Sequence, residues 1–230
     1  MKYQFLEQHK QEFPIVVMCR VLGVSESSFY AWRKRPTCQR KREDGQLTEE
    51  IRHTLNRDFT APEPNKKWVS DITSIPTAQG WLYLAVILDL YSRIVVGWSM
   101  SASCDEDLVE HALDMALTRR RPKSGLLHHS DRGSQYTSRA YRLILEQSGI
   151  MVSMSRKGNC WDNAAMESFF GSLKEECVGS TIYTSHEKAR LAIFTYLEVY
   201  YNRIRRHSTL GYVSPLVYEQ RALQQAKKNV

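Results

Sequence analysis

Hydrophobic residues follow a helical period at the start of the chain and a strand-like period further on. Residues 15–34 form two apolar-periodic stretches that are separated at Gly23, with Ser25 or Ser27 as the N-cap of the second. This spacing predicts a helix-turn-helix, in which the second helix enters the major groove of DNA. A generic helical hairpin has the same spacing and remains the alternative.

Beyond the paired helices, the pattern divides the chain into segments. A helix and a linker with two prolines fill residues 43–67, and we place the domain boundary there. The predicted organisation is therefore a helix-turn-helix-like DNA-binding segment over residues 1–42, a main domain with C-terminal helices over residues 59–221, and a basic tail over residues 222–230.

The main domain begins with strand patterns and then alternates helices with strands. Three strands are predicted as an antiparallel meander, and the second of them is almost wholly apolar. Their ranges are 68–76, 81–90 and 94–100. A helix, a short strand, a helix, a strand and further helices follow, over 105–121, 126–129, 138–147, 150–154, 163–178 and 184–206. The order βββ-α-β-α-β-α predicts a mixed α/β sheet.

Composition excludes several classes of protein. The 230 residues are 42% hydrophobic and 25% charged, which is typical of a globular protein and not of a disordered or fibrous one. The longest uncharged apolar stretch, residues 80–88, is far shorter than the ~20 residues of a membrane helix, and the N-terminus lacks the pattern of a signal peptide. The five cysteines are scattered, which indicates a reducing, cytoplasmic setting without a disulfide framework.

The net charge of +7 is distributed unevenly. Residues 59–197 contain 15 basic and 15 acidic residues, so the whole excess lies in the two flanking regions. A neutral centre between basic ends suits a protein that handles a polyanion and keeps carboxylates for chemistry. Ordinary surface charge is the alternative explanation.

Three carboxylates stand where an acidic site is expected. Asp71 lies in the middle of a core strand, where an acid is costly to bury unless it is paired or bound to a cation. Asp131 follows the short strand, and Glu167 lies on a helix face that also carries Gly171 and Lys174. If the fourth strand pairs with the first, Asp71 and Asp131 become neighbours. Converging carboxylates are the ligands that a catalytic metal site for phosphate chemistry needs.

The spacing and the local motifs resemble a known family. Thirty-five residues separate Asp131 from Glu167, which matches the Asp, Asp, 35 residues, Glu signature of transposases and retroviral integrases. The chain is similar to the catalytic subunit, OrfB, of bacterial insertion-sequence transposases in the segments WVSDIT, LYLAVILDLYSRIVVGW, HHSDRGSQYTS, GNCWDNAAMESFFGSLKEE and YNRIRRHSTLGYVSP. The N-terminal MCRVLGVSESSFYAWRKRP resembles the opening of that subunit.

This resemblance implies a ribonuclease-H-like five-stranded sheet flanked by helices and an integrase catalytic core over residues 59–221. It implies that Asp71, Asp131 and Glu167 are catalytic and hold two divalent ions, normally Mg²⁺, with Mn²⁺ as a substitute. The expected activity is metal-dependent DNA cleavage and strand transfer. Asp89 is the nearest competing ligand, and we expect it to pair with Arg93 or cap its turn instead.

DNA contacts are expected from residues around the site and from both basic flanks. His128 and His129 could orient Asp131 or simply pack at the strand end, and Trp161, which follows Cys160, could stack on a base or anchor its loop. The predicted contacts are Arg132, Gln135, Tyr136, Arg156, Lys157, Asn163, Lys174, Arg203, Arg205, Arg206, Arg33 and Lys34, with His207 beside them. The Arg203–His207 run is also compatible with a solvated helix end.

One departure from the family pattern bears on activity. Family members usually carry a second helical stretch between the opening helices and the core, and part of that region is missing here. Two alternatives to an active transposase are therefore an internally deleted, catalytically impaired remnant that only binds DNA, and a two-metal nuclease that cuts without joining. The expected partners are element and target DNA, further copies of the chain and an upstream frameshift partner subunit, in the bacterial cytoplasm at the nucleoid and away from membranes.

Overall fold

The structure is a computed structural model that describes residues 2–34, 59–155, 163–180 and 182–228. The chain divides into two compact units, Met1–Glu49 and Glu50–Val230. Within the described ranges, every helix is too short or too polar to span a lipid bilayer.

The first unit contains three helices around a small core of its own. They are α1 (Lys2–Gln8), α2 (Ile15–Leu22) and α3 (Glu26–Lys34). Gly23 ends α2 in the left-handed conformation with φ of 62°, and the Ser25 hydroxyl accepts a hydrogen bond from the N–H of Ser28 at 3.2 Å. The predicted pair of helices is therefore present with the predicted cap, whereas α1 was not predicted. The buried residues are Leu6, Met18, Cys19 and Phe29.

The second unit alternates strands and helices in nearly the predicted positions. Its elements are β1 (Lys67–Thr77), β2 (Gly80–Asp89), β3 (Val95–Ser101), α4 (Glu106–Arg120), β4 (Leu127–Ser130), α5 (Arg139–Gln147), β5 (Met151–Met154), α6 (Ala164–Leu173), α7 (His186–Phe194) and α8 (Pro215–Lys228). Helices α6 and α7 continue as π-helical turns over Lys174–Val178 and Thr195–Tyr201, and Ser208–Leu210 form a 3₁₀ turn.

The C-terminus differs from its prediction. We expected helix only to about residue 206 and a basic tail over residues 222–230, but α8 extends to Lys228. Pro215 occupies the first helical position, where its fixed φ is favourable and its missing N–H is not needed.

The five strands form one mixed sheet, as predicted. Their order is β3-β2-β1-β4-β5, with β1, β2 and β3 antiparallel and with β4 parallel to both β1 and β5. Strand β2 lies inside the sheet and is covered on both faces, which explains its almost continuous apolar sequence. Alternate residues of β2 enter two different cores, with Leu84, Val86 and Leu88 on one face and Ala85 and Ile87 on the other.

Each face of the sheet is covered by its own helices. The first core joins the sheet to α6 and α7, and the second joins it to α4 and α5. Side chains of α6 and α7 in the first core include Met166, Phe169, Leu173, Ala189 and Ile193. Side chains of α4 and α5 in the second include Leu108, Ala112, Leu113, Tyr141 and Leu145.

A buried polar network links the β2–β3 turn to α8. Asp89 is fully buried, accepts hydrogen bonds from the N–H groups of Asn65 (2.7 Å) and Tyr91 (2.9 Å), and lies 3.5 Å from the Arg120 guanidinium. Arg120 also donates to both carboxylate oxygens of Glu219, at 2.7 and 2.9 Å. Asp89 is thus structural and caps its turn as expected, but its ionic partner among the described residues is Arg120 and not Arg93.

Close packing of α4 on β3 leaves no room for a side chain at Gly97. A Cβ added there would lie 2.2 Å from the carbonyl oxygen of Ala112 and 2.8 Å from the Ala116 Cβ. We expect Gly97→Ala to lower the free energy of unfolding by about 1–3 kcal/mol, because backbone atoms must shift. Gly171→Ala is the matched control: it meets nothing within 4 Å and should stabilise its helix by up to about 1 kcal/mol. Urea unfolding of both variants measures this, and equal stabilities would contradict the packing argument.

Candidate active site

The parallel pairing of β1 with β4 brings two acids together. The last paired residues are Val69 and His129, and Asp71 and Asp131 each follow two positions later. Because side chains alternate along a strand, Asp71 shares the face of Val69, which belongs to the core that α6 covers, and Asp131 lies just beyond the end of β4. The two carboxylates line one cleft of about 260 Å³, whose other walls include Thr73, Cys104, Gln135 and Tyr136.

Asp131 is held by the turn that follows β4. Its Oδ1 accepts a hydrogen bond from the N–H of Gly133 at 2.9 Å, and a Cβ at Gly133 would lie 3.0 Å from the same oxygen. A glycine therefore suits this position, because a larger residue would crowd the carboxylate. The turn leaves the other carboxylate oxygen, Oδ2, without a hydrogen bond from the described residues.

Asp71 is half-buried and surrounded by like charge. Its Oδ1 accepts a hydrogen bond from the N–H of Ile72 at 2.8 Å, and its Oδ2 accepts one from the Asn163 side chain at 2.9 Å. Burial is the main cause that raises the pKa of Asp71 to about 6, and the charges of Asp131 and Glu167 contribute to this rise, whereas the Ile72 N–H opposes it. The Lys174 ammonium is the cation that opposes them. The region around Asp71 thus has an excess of negative charge.

Helix α6 positions Glu167 through an apolar stripe on its opposite side. The stripe consists of Met166, Phe169, Phe170 and Leu173, all of which are buried. Glu167, Gly171 and Lys174 are exposed on the neighbouring face, as the helical period predicts. The space beside Gly171 is open, since a Cβ there would touch nothing within 4 Å. An acid and a base therefore flank a flat stretch of helix surface.

The chemistry of this donor set suits a divalent cation. Carboxylate oxygens are the ligands that Mg²⁺ prefers, and a cation would relieve the repulsion among the three acids. The Oδ1 atom of Asn163, whose amide nitrogen binds Asp71, is buried without a partner among the described residues. With the side chains as they stand, no three potential ligands within the described ranges are close enough together to hold one ion.

Most of the predicted DNA contacts near the cleft are solvent-accessible. Arg132 and Lys174 are exposed, and the Arg132 Nε donates to the carbonyl of Ser155 at 2.8 Å. Gln135 donates through its amide to the carbonyl of Cys104 at 2.9 Å. Tyr136 is only 2% exposed and forms part of the cleft wall. Asn163 is hydrogen-bonded to Asp71 and supports the cleft from inside. Neither side chain contributes much to an outer surface that DNA could contact.

The other predicted contacts lie further from the cleft. Arg203 and Arg206 are exposed, whereas Arg205 is paired with Glu176 at 2.7 Å. In the first unit, Arg33 is exposed and lies 3.6 Å from Glu7, and Lys34 ends α3. Arg156, Lys157, Cys160 and Trp161 lie outside the described residues.

The two histidines before Asp131 are buried in β4 and lie within hydrogen-bond distance of neighbouring hydroxyl groups. His128 is fully buried, lies 2.8 Å from the Tyr141 hydroxyl, and has a pKa lowered to about 3 by burial and by His129. His129 lies 2.9 Å from the Ser153 hydroxyl and 3.2 Å from that of Ser155. Of the two roles considered for them, packing at the strand end agrees with these contacts.

Sequence analysis did not find how Asp71 is supported. Asn163 was predicted as a DNA contact, yet it joins α6 to the central strand through Asp71. Its position just before α6 could have indicated this role, because a residue just before a helix lies on the same side of the helix as the residue one turn later, which here is Glu167. Cys104 was not predicted as part of the cleft at all.

Family models and curated relatives indicate the same family for this chain. Models described as "Integrase core domain" match residues 61–160 and residues 148–215. The chain is 38% identical to the transposase InsF for insertion sequence IS3A of Escherichia coli (strain K12), with 97% of the chain and 100% of the relative covered. It is 36% identical to an uncharacterised 31 kDa protein of insertion element IS600 from Shigella sonnei, with 91% and 100% covered.

Solved structures that match this chain include viral integrases. A simian T-cell lymphotropic virus intasome in complex with a PP2A regulatory subunit has a TM-score of 0.56 at 14% identity and covers 88% of this chain and 73% of its own. The HTLV-2 integrase catalytic core with magnesium has a TM-score of 0.52 at 16% identity and covers 69% and 99%. These similarities establish the ribonuclease-H-like fold of the second unit.

The alignment with the InsF transposase is longer than this chain. It runs over 287 positions although this chain has 230 residues, so many residues of the relative have no counterpart here. The aligned relative is nevertheless covered from end to end, and all three acids of the family pattern are retained.

We expect Mg²⁺ to stabilise the folded chain, because a cation offsets the repulsion at Asp71. At a concentration 100-fold above the dissociation constant, binding to the folded state alone adds about 2.7 kcal/mol to the free energy of unfolding. Thermal melts with and without Mg²⁺ measure the effect, and Asp131→Asn should remove most of it. Asp114→Asn, on the exposed side of α4, is the matched control. Equal shifts in both variants would place the ion elsewhere.

Proposed function

Because this chain belongs to the insertion-sequence transposases with an integrase core, we propose that it cuts DNA at the ends of such an element and joins those ends to target DNA. The observation that carries this proposal is the convergence of acids on Asp71. Asp131 lies beside it across the β1–β4 pair, and the charges of Asp131 and Glu167 both act on its carboxylate. An acidic cluster next to a lysine is the arrangement that phosphoryl transfer requires.

The groups that donate hydrogen bonds to each acid determine what the protein contributes to the mechanism. Asp71, Asp131 and Glu167 would hold two Mg²⁺ ions, or Mn²⁺ as a substitute. When bound, such ions activate a water or a 3′-hydroxyl and stabilise the charge on the reacting phosphate. The side-chain amide of Asn163 and the N–H of Ile72 fix the orientation of Asp71, and the N–H of Gly133 fixes that of Asp131. No side chain has to act as a nucleophile.

Substrate DNA would lie along the exposed face of α6. Lys174 is exposed one turn beyond Gly171, where the helix surface is flat, so a phosphate can approach the ammonium closely. The exposed Arg132 on the other side of the cleft would contact the strand beyond the reacting phosphate. The helix pair in the first unit would bind DNA separately, through α3.

The assembly and setting are part of the same proposal. Joining two element ends in one reaction requires at least two catalytic units, so we propose a homo-oligomer on DNA. The subunit would act at the bacterial nucleoid, together with an upstream frameshift partner. The retention of every catalytic acid supports an active enzyme over a deleted remnant that only binds DNA.

Strand transfer on labelled duplexes that carry the element's own ends tests the activity. We expect cleaved and joined products in Mg²⁺, and we expect Asp131→Asn to reduce both by at least 10³-fold, since its carboxylate is a ligand. Asp114→Asn should leave both unchanged. Cleavage without joining would favour a nuclease, and DNA binding without either product would indicate a remnant.

Substitution of Lys174 tests the DNA path. Loss of one phosphate contact should weaken binding uniformly across sequences and reduce the slope of log affinity against log salt by about 1. Fluorescence anisotropy without divalent ions compares Lys174→Ala with Lys188→Ala, an equally exposed lysine on α7. An unchanged slope for Lys174→Ala would remove this residue from the interface.

A further inference from the structure

A second cavity adjoins the catalytic helix on a different face. It has a volume of about 450 Å³ and contacts α6 at Ala165, Ser168 and Ser172, whereas Glu167 and Lys174 point elsewhere around the helix. Arginine, histidine and hydroxyl-bearing side chains contribute much of its remaining wall, among them Arg93, Arg205, Arg206, His207, Ser208 and Thr209. Its volume falls in the range of ~300–1,000 Å³ that is typical of ligand sites.

Arg93 is the unusual residue in this wall. It is half-buried in the β2–β3 turn with φ of 61°, and among the described residues the one hydrogen-bond partner of its guanidinium is the carbonyl of Phe59, at 3.4 Å. No carboxylate among the described residues forms an ion pair with it. Burial lowers the pKa of Arg93, opposed by the phenol of Tyr201. A buried cation without a counter-ion is costly unless an anion completes the site.

The neighbouring charges do not supply that anion. Glu176 binds Arg205 through hydrogen bonds of 2.8 Å, so this acid is already neutralised by its own partner. Arg206 is exposed and has no acidic partner within the described residues. Burial, together with Arg205 and Arg93, lowers the pKa of His207 to about 4, against the effect of Glu176. The cavity therefore carries the positive charges of Arg93 and Arg206 without compensation.

We propose that this cavity is a phosphate-binding subsite, in which Arg93 and Arg206 hold a phosphodiester of the DNA strand that passes the catalytic helix. Guanidinium groups bind phosphate oxygens through paired hydrogen bonds, and the surrounding Ser and Thr hydroxyls add neutral donors. Only the DNA source of the phosphate rests on the proposed function. The positive charge and the donors themselves are independent of it.

The geometry favours a strand over a small free anion. The cavity is open to solvent along its edge, where Arg206, Ser208, Thr209 and Tyr212 are all exposed. A DNA strand can lie along such an open edge while one of its phosphates reaches Arg93. Because α6 carries Glu167 and also borders the cavity, a strand bound here would be fixed relative to the acids by a single rigid helix.

The first test measures DNA affinity against salt for the full chain, without divalent ions. We expect Arg93→Gln and Arg206→Gln each to reduce the slope of log affinity against log salt by about 1. Arg93→Lys should retain most of the slope, because it keeps the charge. Arg190→Gln, an exposed arginine on α7 outside both cavities, is the matched control. Arg206 is exposed, so its variant remains informative if Arg93→Gln fails to fold. Slopes equal to the wild type in Arg93→Gln and Arg206→Gln would overturn the proposal.

The second test separates a DNA phosphate from a free one and from the catalytic proposal. Inorganic phosphate and a deoxynucleoside 5′-monophosphate are titrated in thermal melts against chloride of equal ionic strength. Stabilisation of the wild type that Arg93→Gln loses supports the phosphate chemistry, even if no strand transfer is found. Stabilisation by these small anions combined with unchanged DNA slopes would overturn the DNA source. Asp131→Asn should abolish the reaction and keep the salt slope, which distinguishes failure of the subsite from failure of catalysis.

Discussion

The short parallel contact between β1 and β4 is the constraint on which the rest of the site depends. Only three residue pairs form it, ending at Val69 and His129. Trp68 and Val69 enter opposite cores, so a shift of one residue would move an indole into the wrong core and turn Asp71 away from α6. Burial on both faces therefore fixes a register that hydrogen bonding alone would hold weakly. The position of the first acid relative to the second is a consequence of packing.

That register places an acid where burial opposes its charge, and the surrounding structure compensates only in part. The hydrogen bonds from Ile72 and Asn163 favour the ionised form of Asp71, whereas desolvation and two neighbouring acids oppose it. An apolar residue in its place would be cheaper for stability. Retaining the acid makes sense when a cation supplies the missing charge, which is how a site for phosphate chemistry differs from an ordinary core strand.

Much of this arrangement could be predicted from the sequence, because the periods of β2 and α6 are strong. The apolar stripe of α6 fixed the face of Glu167 in advance, and the turn after β4 marked Asp131. What could not be predicted depends on pairing between distant segments. Arg120 lies far along the chain from Glu219, and the packing of α4 and α8 brings the two together. The same packing makes Arg120 the ionic partner of Asp89, in place of Arg93, which is nearer to Asp89 in sequence. Helix α8 was not predicted either, and its ion pair between Glu219 and Arg120 also joins segments that are far apart in the chain.

Helix α6 separates the acidic cluster from the cationic cavity. One of its faces packs in the core, a second carries Glu167 and Lys174, and a third borders the cavity of Arg93. The apolar face fixes the other two, so the acid cluster and the cationic wall keep a constant separation across one rigid element. Equal numbers of acidic and basic residues over 59–197 hide the acidic cluster when they are only counted, whereas Arg206 of the cationic wall belongs to the basic region that follows. Negative charge collects around Asp71, and positive charge remains around Arg93.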